Sequence, residues 1–225
     1  MPGAIGEGTL PDYKIVIADD HPLFRGALKQ ALAGVEGVAD VLEAGDFDSV
    51  KQMTLEHSDI DLLLLDLSMP GASGLSALIS LRGSHPETPV VVVSASEDVH
   101  TIRRALQLGA SGFIPKSSSL EDIRSGVATV LGGGVAVPAG IDLGVEQDPE
   151  ISNVIRRLQA LTPQQTRVLG MVAEGLLNKQ IAYDLGVSEA TIKAHVSAIL
   201  QKLDVDSRTQ AVILLSKIGA SGQAG

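Results

Sequence analysis

Over residues 13–132, short apolar runs alternate with stretches in which hydrophobic side chains recur every three or four positions. The runs are Lys14–Ala18, Val38–Ala44, Ile60–Leu65, Val90–Ser94 and Gly112–Ile114. Between and after them, helical spacing covers Leu23–Ala33, Asp46–Glu56, Leu75–Arg82, Asp98–Leu108 and Leu120–Leu131. Runs this short and this uniformly apolar predict strands, and their regular alternation with helices predicts a parallel sheet covered on both faces. The expected fold class is therefore α/β, a doubly wound five-stranded parallel sheet. In open sheets of this kind, ligands bind beyond the carboxyl ends of the strands.

The pattern changes after Leu131. Gly132-Gly133-Gly134 stops the last of these helices, and the stretch to Pro149 mixes Gly, Pro and acidic residues without a period, as a linker does. Ile151, Val154, Ile155 and Leu158 return to helical spacing and predict a linker helix, with a partly disordered tether as the other reading. Thr162-Pro163-Gln164-Gln165 is a capping box that opens a helix, with Thr as the cap and Pro at the first helical position. Two further helical segments follow, one through Ile181, Ala182 and Leu185, the next from Ser188 through Ile192, Val196, Ile199 and Leu203, with Gly186 at the turn between them. Two short helices joined by a glycine turn form a helix-turn-helix, whose second helix enters the DNA major groove. The chain thus divides into an α/β domain at 13–132, a linker at 133–157 and a small all-α helix-turn-helix domain at 158–220.

Composition narrows the setting. The 225 residues include no cysteine, which points to a reducing, cytoplasmic compartment. Met1–Asp12 holds no basic segment followed by an apolar one, and no apolar stretch is long enough to span a bilayer, so no membrane association is expected. The formal charge of −10 would argue against a nucleic-acid partner if it were evenly spread. It is not: residues 1–138 carry 18 acidic and 9 basic side chains, whereas residues 161–225 carry 5 and 6.

Candidate chemistry sits where the strands end. Asp19 and Asp20 follow the first run, Asp66 the third, Ser94 closes the fourth, and Lys116 follows the fifth. Carboxylates drawn together at one rim repel each other, and a hard divalent cation such as Mg²⁺ relieves that repulsion. A lysine and a hydroxyl alongside make sense for an arriving anion. A phosphoryl group fits: Asp66 would attack as nucleophile, while the metal, Lys116 and Ser94 stabilise the phosphoryl oxygens.

This arrangement resembles the receiver domain of two-component response regulators, a flavodoxin-like fold. The resemblance rests on the acidic pair, the aspartate before Met69-Pro70-Gly71, the serine after the fourth strand and the lysine after the fifth. It implies that Asp66 is the phosphoacceptor, that Asp19, Asp20, Asp66 and the backbone carbonyl of Ser68 hold Mg²⁺, and that Ser94 and Lys116 touch the phosphoryl group. Phe113 falls at the position of the family's switching aromatic, with Ser94 its partner in the switch. One departure stands out: many receivers place proline after this lysine, whereas here Pro115 precedes Lys116 and Ser117 follows it. His21 has no second His or Cys at ligand spacing and is read as a helix-start residue near the site.

The C-terminal domain resembles the LuxR-type output domain of the NarL/FixJ family through Leu161-Thr162-Pro163, Gly175, Asn178-Lys179, Ile181-Ala182, Val187-Ser188, Thr191-Ile192-Lys193, His195-Val196 and Leu203. The resemblance implies double-stranded DNA as partner, with Lys193, Ala194 and Ser197 toward the bases and Thr191, Lys179 and Lys202 near phosphates. It places homodimer contacts on the last helix, Thr209–Ile218, and a sensor histidine kinase upstream as phosphodonor. Gln165 replaces a common glutamate, and Ser197 stands where a relative carries lysine. The combined expectation is a phosphorylation-controlled transcription factor, not an enzyme.

Single features carry little. An Asp-Asp pair is ordinarily a solvated loop, a strand-ending lysine a surface charge, and a small helical domain a protein-contact module; joint placement at successive strand ends lifts the set above that. A Mg²⁺-dependent phosphohydrolase or phosphotransferase built on Asp66 is the alternative, but enzymes of the haloacid dehalogenase type want an aspartate where Ser68 stands.

Overall fold

The computed structural model describes residues 12–71, 74–141 and 149–220. Strands β1 (Tyr13–Ala18), β2 (Val38–Ala44), β3 (Leu62–Asp66), β4 (Val90–Ser94) and β5 (Gly112–Pro115) form one parallel sheet in the order β2-β1-β3-β4-β5. Helices α1 (Pro22–Leu32), α2 (Phe47–Glu56), α3 (Leu75–Ser84), α4 (Val99–Gln107) and α5 (Leu120–Leu131) connect and follow the strands. The two-residue period of the strands explains the layering. Ile15, Ile17, Leu62, Leu64, Val91 and Val93 pack with Leu28 and Leu32 of α1 and Ile123 and Val127 of α5. Val16, Leu63, Leu65, Val90 and Val92 face the other way, against Phe47 of α2, Leu78 of α3 and Ile102 of α4. Every residue of Leu62–Asp66 and Val90–Ser94 is buried, as central strands covered on both faces require. From β1 the chain moves first outward to β2 and then back past β1 to β3, so the crevice of this sheet opens at the ends of β1 and β3.

The stretch after α5 is less featureless than its composition suggests. Ala136 lies in a parallel bridge beside Gly112: its N–H donates to the Ser111 carbonyl at 3.1 Å, and its carbonyl accepts from Phe113 N–H at 2.9 Å. A Cβ on Gly112 would stand 2.8 Å from the Ala136 Cβ, so glycine there allows the close approach. Residues 142–148, part of the expected linker, lie outside the described residues.

Helix α6 (Pro149–Gln159) crosses the boundary expected at residue 158 and belongs structurally to the C-terminal domain. Its Val154 and Leu158 join a core built by α7 (Pro163–Ala173), α8 (Asn178–Asp184), α9 (Glu189–Leu203) and α10 (Arg208–Ala220). Arg157 of α6 donates to the Leu203 carbonyl at 2.8 Å and pairs with Asp204 at 3.0 Å, closing the C-terminus of α9. The capping box at Thr162 and Gln165 forms as the sequence predicts.

The two domains touch through α3 and α7, which cross at glycines. A Cβ on Gly83 would lie 2.5 Å from the Arg167 backbone nitrogen, and one on Gly170 would lie 2.8 Å from Ser80 Cβ. Around this crossing, Glu174 accepts an ion pair from Lys51 at 2.8 Å and a hydrogen bond from Ser80 at 3.3 Å. Gln159 donates to the Gln107 carbonyl at 2.7 Å, and Arg104 to the Ile218 carbonyl at 3.2 Å. Among the described residues, no helix is long and apolar enough to cross a membrane.

Candidate phosphoacceptor site and recognition helix

Asp66 ends β3 and Asp19 and Asp20 follow β1, so the neighbouring register of these two strands brings the carboxylates to the crevice. Asp19 and Asp66 are buried, and ligand atoms of Asp19, Asp20, His21 and Asp66 all lie within 4.8 Å of one another. Lys116, one residue beyond β5, reaches across the sheet ends to place Nζ 2.7 Å from Asp19 Oδ2 and 2.9 Å from Asp66 Oδ2. Its N–H also bonds the Ser94 carbonyl at 2.7 Å, and its ammonium sits 5.0 Å over the Phe24 ring. Burial pulls the Lys116 pKa down, but hydrogen bonds and charge from Asp19 and Asp66 outweigh it and hold the ammonium above the ordinary lysine range.

Backbone amides orient the acids. His21 N–H donates to Asp19 Oδ1 at 2.8 Å and Ser68 N–H to Asp66 Oδ1 at 3.1 Å. Arg25 reinforces the turn by donating to the Asp19 carbonyl at 2.7 Å. Ser94 is buried and its hydroxyl accepts from Ser96 N–H at 3.2 Å; Phe113 is buried, with its amide tied to Ala136 as described. His21 stands closer to the chemistry than a helix-start residue need be, with Nδ1 2.7 Å from Asp20 Oδ1. Ser117, in the place of the familiar proline, donates to Glu97 at 2.5 Å and links the loops after β4 and β5.

The residues fit a hard cation. Asp19 Oδ2 and Asp20 Oδ1 are buried without a hydrogen-bond partner, although the Lys116 ammonium and the His21 imidazole lie within ion-pair distance of them. Buried anionic oxygens without aligned donors are costly unless a cation satisfies them.

In the C-terminal domain, α8 and α9 are joined by a turn at Gly186, whose φ of +64° suits glycine. Ser188 caps α9 by accepting from Thr191 N–H at 3.1 Å. Thr191, Lys193, Ala194 and Ser197 are all exposed on α9, and Lys179 is exposed at the start of α8. Lys193 Nζ pairs with Glu189 one turn earlier at 2.9 Å. Lys202, grouped in the sequence with the phosphate contacts, has its ammonium engaged elsewhere: it donates to the Ala160 carbonyl at 2.9 Å and to Gln165 at 2.8 Å, fastening α9 to the junction of α6 and α7.

Arg208 carried no local signal, yet it holds the helix-turn-helix in place. Its guanidinium donates to the Val172 carbonyl at 3.2 Å and to the Leu176 carbonyl, and burial lowers its pKa. Replacing Arg208 by Ala removes a donor from both carbonyls, of which that of Val172 keeps the Gly175 N–H at 3.1 Å, and should cost about 1–3 kcal/mol. Denaturant unfolding of the full chain checks this, and a change below about 0.5 kcal/mol would count against the role.

Comparison with known proteins identifies the family of each domain. The response regulator receiver domain family matches residues 15–128, and the luxR family of bacterial regulatory proteins matches residues 159–215. A glycerol metabolism activator of Pseudomonas putida is 44% identical over 207 residues, covering 89% of this chain and 94% of its own. The nitrate/nitrite response regulator NarP of Escherichia coli K12 is 33% identical over 210 residues, covering 90% and 94%. RcsB from Salmonella enterica serovar Typhimurium, solved bound to a promoter in the presence of a phosphomimetic, shares the fold: TM-score 0.55, 24% identity, 92% of this chain and 99% of that one. With a receiver domain, a LuxR-type helix-turn-helix domain and these relatives along most of its length, the chain belongs to the NarL/FixJ family of response regulators.

Proposed function

We propose that Asp66 accepts a phosphoryl group from a sensor histidine kinase and that this modification governs homodimer formation and DNA binding by the C-terminal domain. The observation that carries the reading is the bridge of Lys116 between Asp19 and Asp66 at the sheet crevice. A cation 2.9 Å from an Asp66 carboxylate oxygen, with a hydroxyl at Ser94 on the neighbouring strand, supports attack by Asp66 on a phosphoryl group.

In the reaction, an Asp66 carboxylate oxygen forms a bond to phosphorus as the phosphorus–nitrogen bond of the donor histidine breaks, and the leaving imidazole takes up a proton. Asp19, Asp20, Asp66 and the Ser68 carbonyl would hold Mg²⁺, which when bound neutralises charge on the phosphoryl oxygens. Lys116 is partly buried and its ammonium is favoured by Asp19 and Asp66, so it stabilises the arriving oxygens with little reorganisation. Ser94 donates a hydrogen bond to one of them, and its movement with Phe113 passes the change to the receiver surface.

On DNA, Lys193, Ala194 and Ser197 face the bases, with Lys179 and Thr191 at phosphates, and α10 supplies the contacts of a cytoplasmic homodimer. The name of the Pseudomonas relative supports transcriptional activation as the output. The test is to treat the full chain with acetyl phosphate and Mg²⁺ and follow intact mass. One phosphoryl group on Asp66, absent when a chelator is included during the treatment, is expected; no gain in mass, or steady turnover of an added phosphoester, would overturn the reading.

A further inference from the structure

Glu189 is an acidic side chain on the very part of the molecule that has to approach a polyanion. It occupies the first turn of α9, is exposed, and faces the same side as Lys193, to which it is paired at 2.9 Å. The N-terminal turns of a recognition helix are the ones that reach base edges in the major groove. Along the exposed strip that follows, Ala190, Ala194 and Ser197 are short. Small side chains let the helix backbone sit deep in the groove, and they leave Glu189 and Lys193 as the long groups of opposite charge on that strip.

A helix N-terminus favours an acid, which gives Glu189 an ordinary local role. That role does not require the carboxylate to lie within reach of the reading lysine, and in the groove it would meet a strongly negative potential. The carboxylate can offset that repulsion only by accepting a hydrogen bond. The major-groove donors available are the exocyclic amino groups of cytosine and adenine, and a carboxylate, being acceptor only, matches cytosine N4 without the competing adenine N7 acceptor beside it.

We propose that Glu189 is a specificity-determining residue: it selects cytosine at one position of the binding site and, through its ion pair, aims Lys193 at an adjacent guanine. The inference rests on the DNA-binding reading given above. It makes Glu189 a discriminator. Its charge cancels that of Lys193 on non-specific DNA, where no cytosine amino group is in register, and so lowers background binding. On the matching sequence the carboxylate accepts from the cytosine amino group with one oxygen while its ion pair holds the lysine toward guanine O6 and N7.

The experiment is selection from a random-sequence double-stranded DNA library with the full chain treated with Mg²⁺ and acetyl phosphate, comparing the parent with Glu189→Gln, Glu189→Ala and Lys193→Ala. The parent should enrich a site with a C·G pair whose preference falls about tenfold in Glu189→Ala. In Glu189→Gln the favoured base should move from cytosine towards adenine, because an amide both donates to N7 and accepts from N6. Binding to non-specific DNA should tighten in both, with a salt slope steeper by about one unit. Because Glu189 is exposed, both variants should remain folded, which circular dichroism verifies. Tighter binding with an unchanged base preference at every position would overturn the proposal and leave Glu189 a surface charge. Unchanged base preference and salt slope in Lys193→Ala, or no sequence enriched by the parent, would instead overturn the DNA-contact reading beneath it.

Discussion

Asn in place of Asp66 should reduce phosphoryl uptake to background while leaving the fold intact. The substitution is nearly isosteric at a side chain that is only 1% exposed, so no cavity or overlap is created. Two electrostatic effects oppose one another. Lys116 loses one of two carboxylate partners but keeps Asp19 at 2.7 Å, and the crowding of Asp66 with Asp19 and Asp20 is relieved. The net change in stability should stay within about 1 kcal/mol, the scale of one pKa unit of interaction. Chemistry does not share this tolerance, because an amide is a far weaker nucleophile than a carboxylate, and the other two carboxylates of the crevice are paired, Asp19 with Lys116 and Asp20 with His21. Intact mass after acetyl phosphate treatment, together with denaturant unfolding, separates the two effects. An undiminished mass gain in the variant would assign the modification to another residue.

Gly170→Ala should part the two domains. The added Cβ lies 2.7 Å from Ser80 Oγ, 2.8 Å from Ser80 Cβ and 2.9 Å from Ser80 Cα, so a side-chain rotation cannot make room and α3 and α7 must separate. Overpacking of this kind costs about 1–3 kcal/mol. Within α7 the same change is favourable by about 1 kcal/mol, since alanine is the better helix former. The expected signature is therefore divided: faster hydrogen exchange over Ile79–Gly83 and a larger radius in solution, without loss of helicity in α7. Unchanged exchange across α3 would show that the crossing does not hold the domains together.

The strands, the first five helices and the carboxylate rim were legible in the sequence because local patterns determine them. Runs such as Leu62–Leu65 and Val90–Val93 are apolar on both faces for one reason, burial beneath helices on both sides. The end of each strand then places its polar residue without further information. What was not legible depends on contacts distant in sequence. Gly83 and Gly170 carried no signal in the sequence, and only the crossing of α3 over α7 shows why a side chain is excluded there. Lys202 was expected near DNA phosphates and Arg208 carried no signal, yet each serves a backbone carbonyl more than 30 positions away. Helix α6 was visible as a period of apolar residues, but its attachment through Arg157 to the end of α9 had no counterpart in local sequence. The DNA-facing set on α9 is legible as a strip, and its assignment to bases and phosphates stays with the proposals.

The pairing of Ala136 with β5 has a mechanical meaning. The amide of Phe113 is held by the carbonyl of Ala136, so the buried aromatic and the first residues of the connection to the C-terminal domain are stitched into one seam. A displacement of β5 at Phe113 has to carry Ala136 along or break that stitch. Either way, a shift of β5 at that residue would be felt by the chain at Ala136, where it leaves the receiver, through a contact separate from the α3–α7 surface.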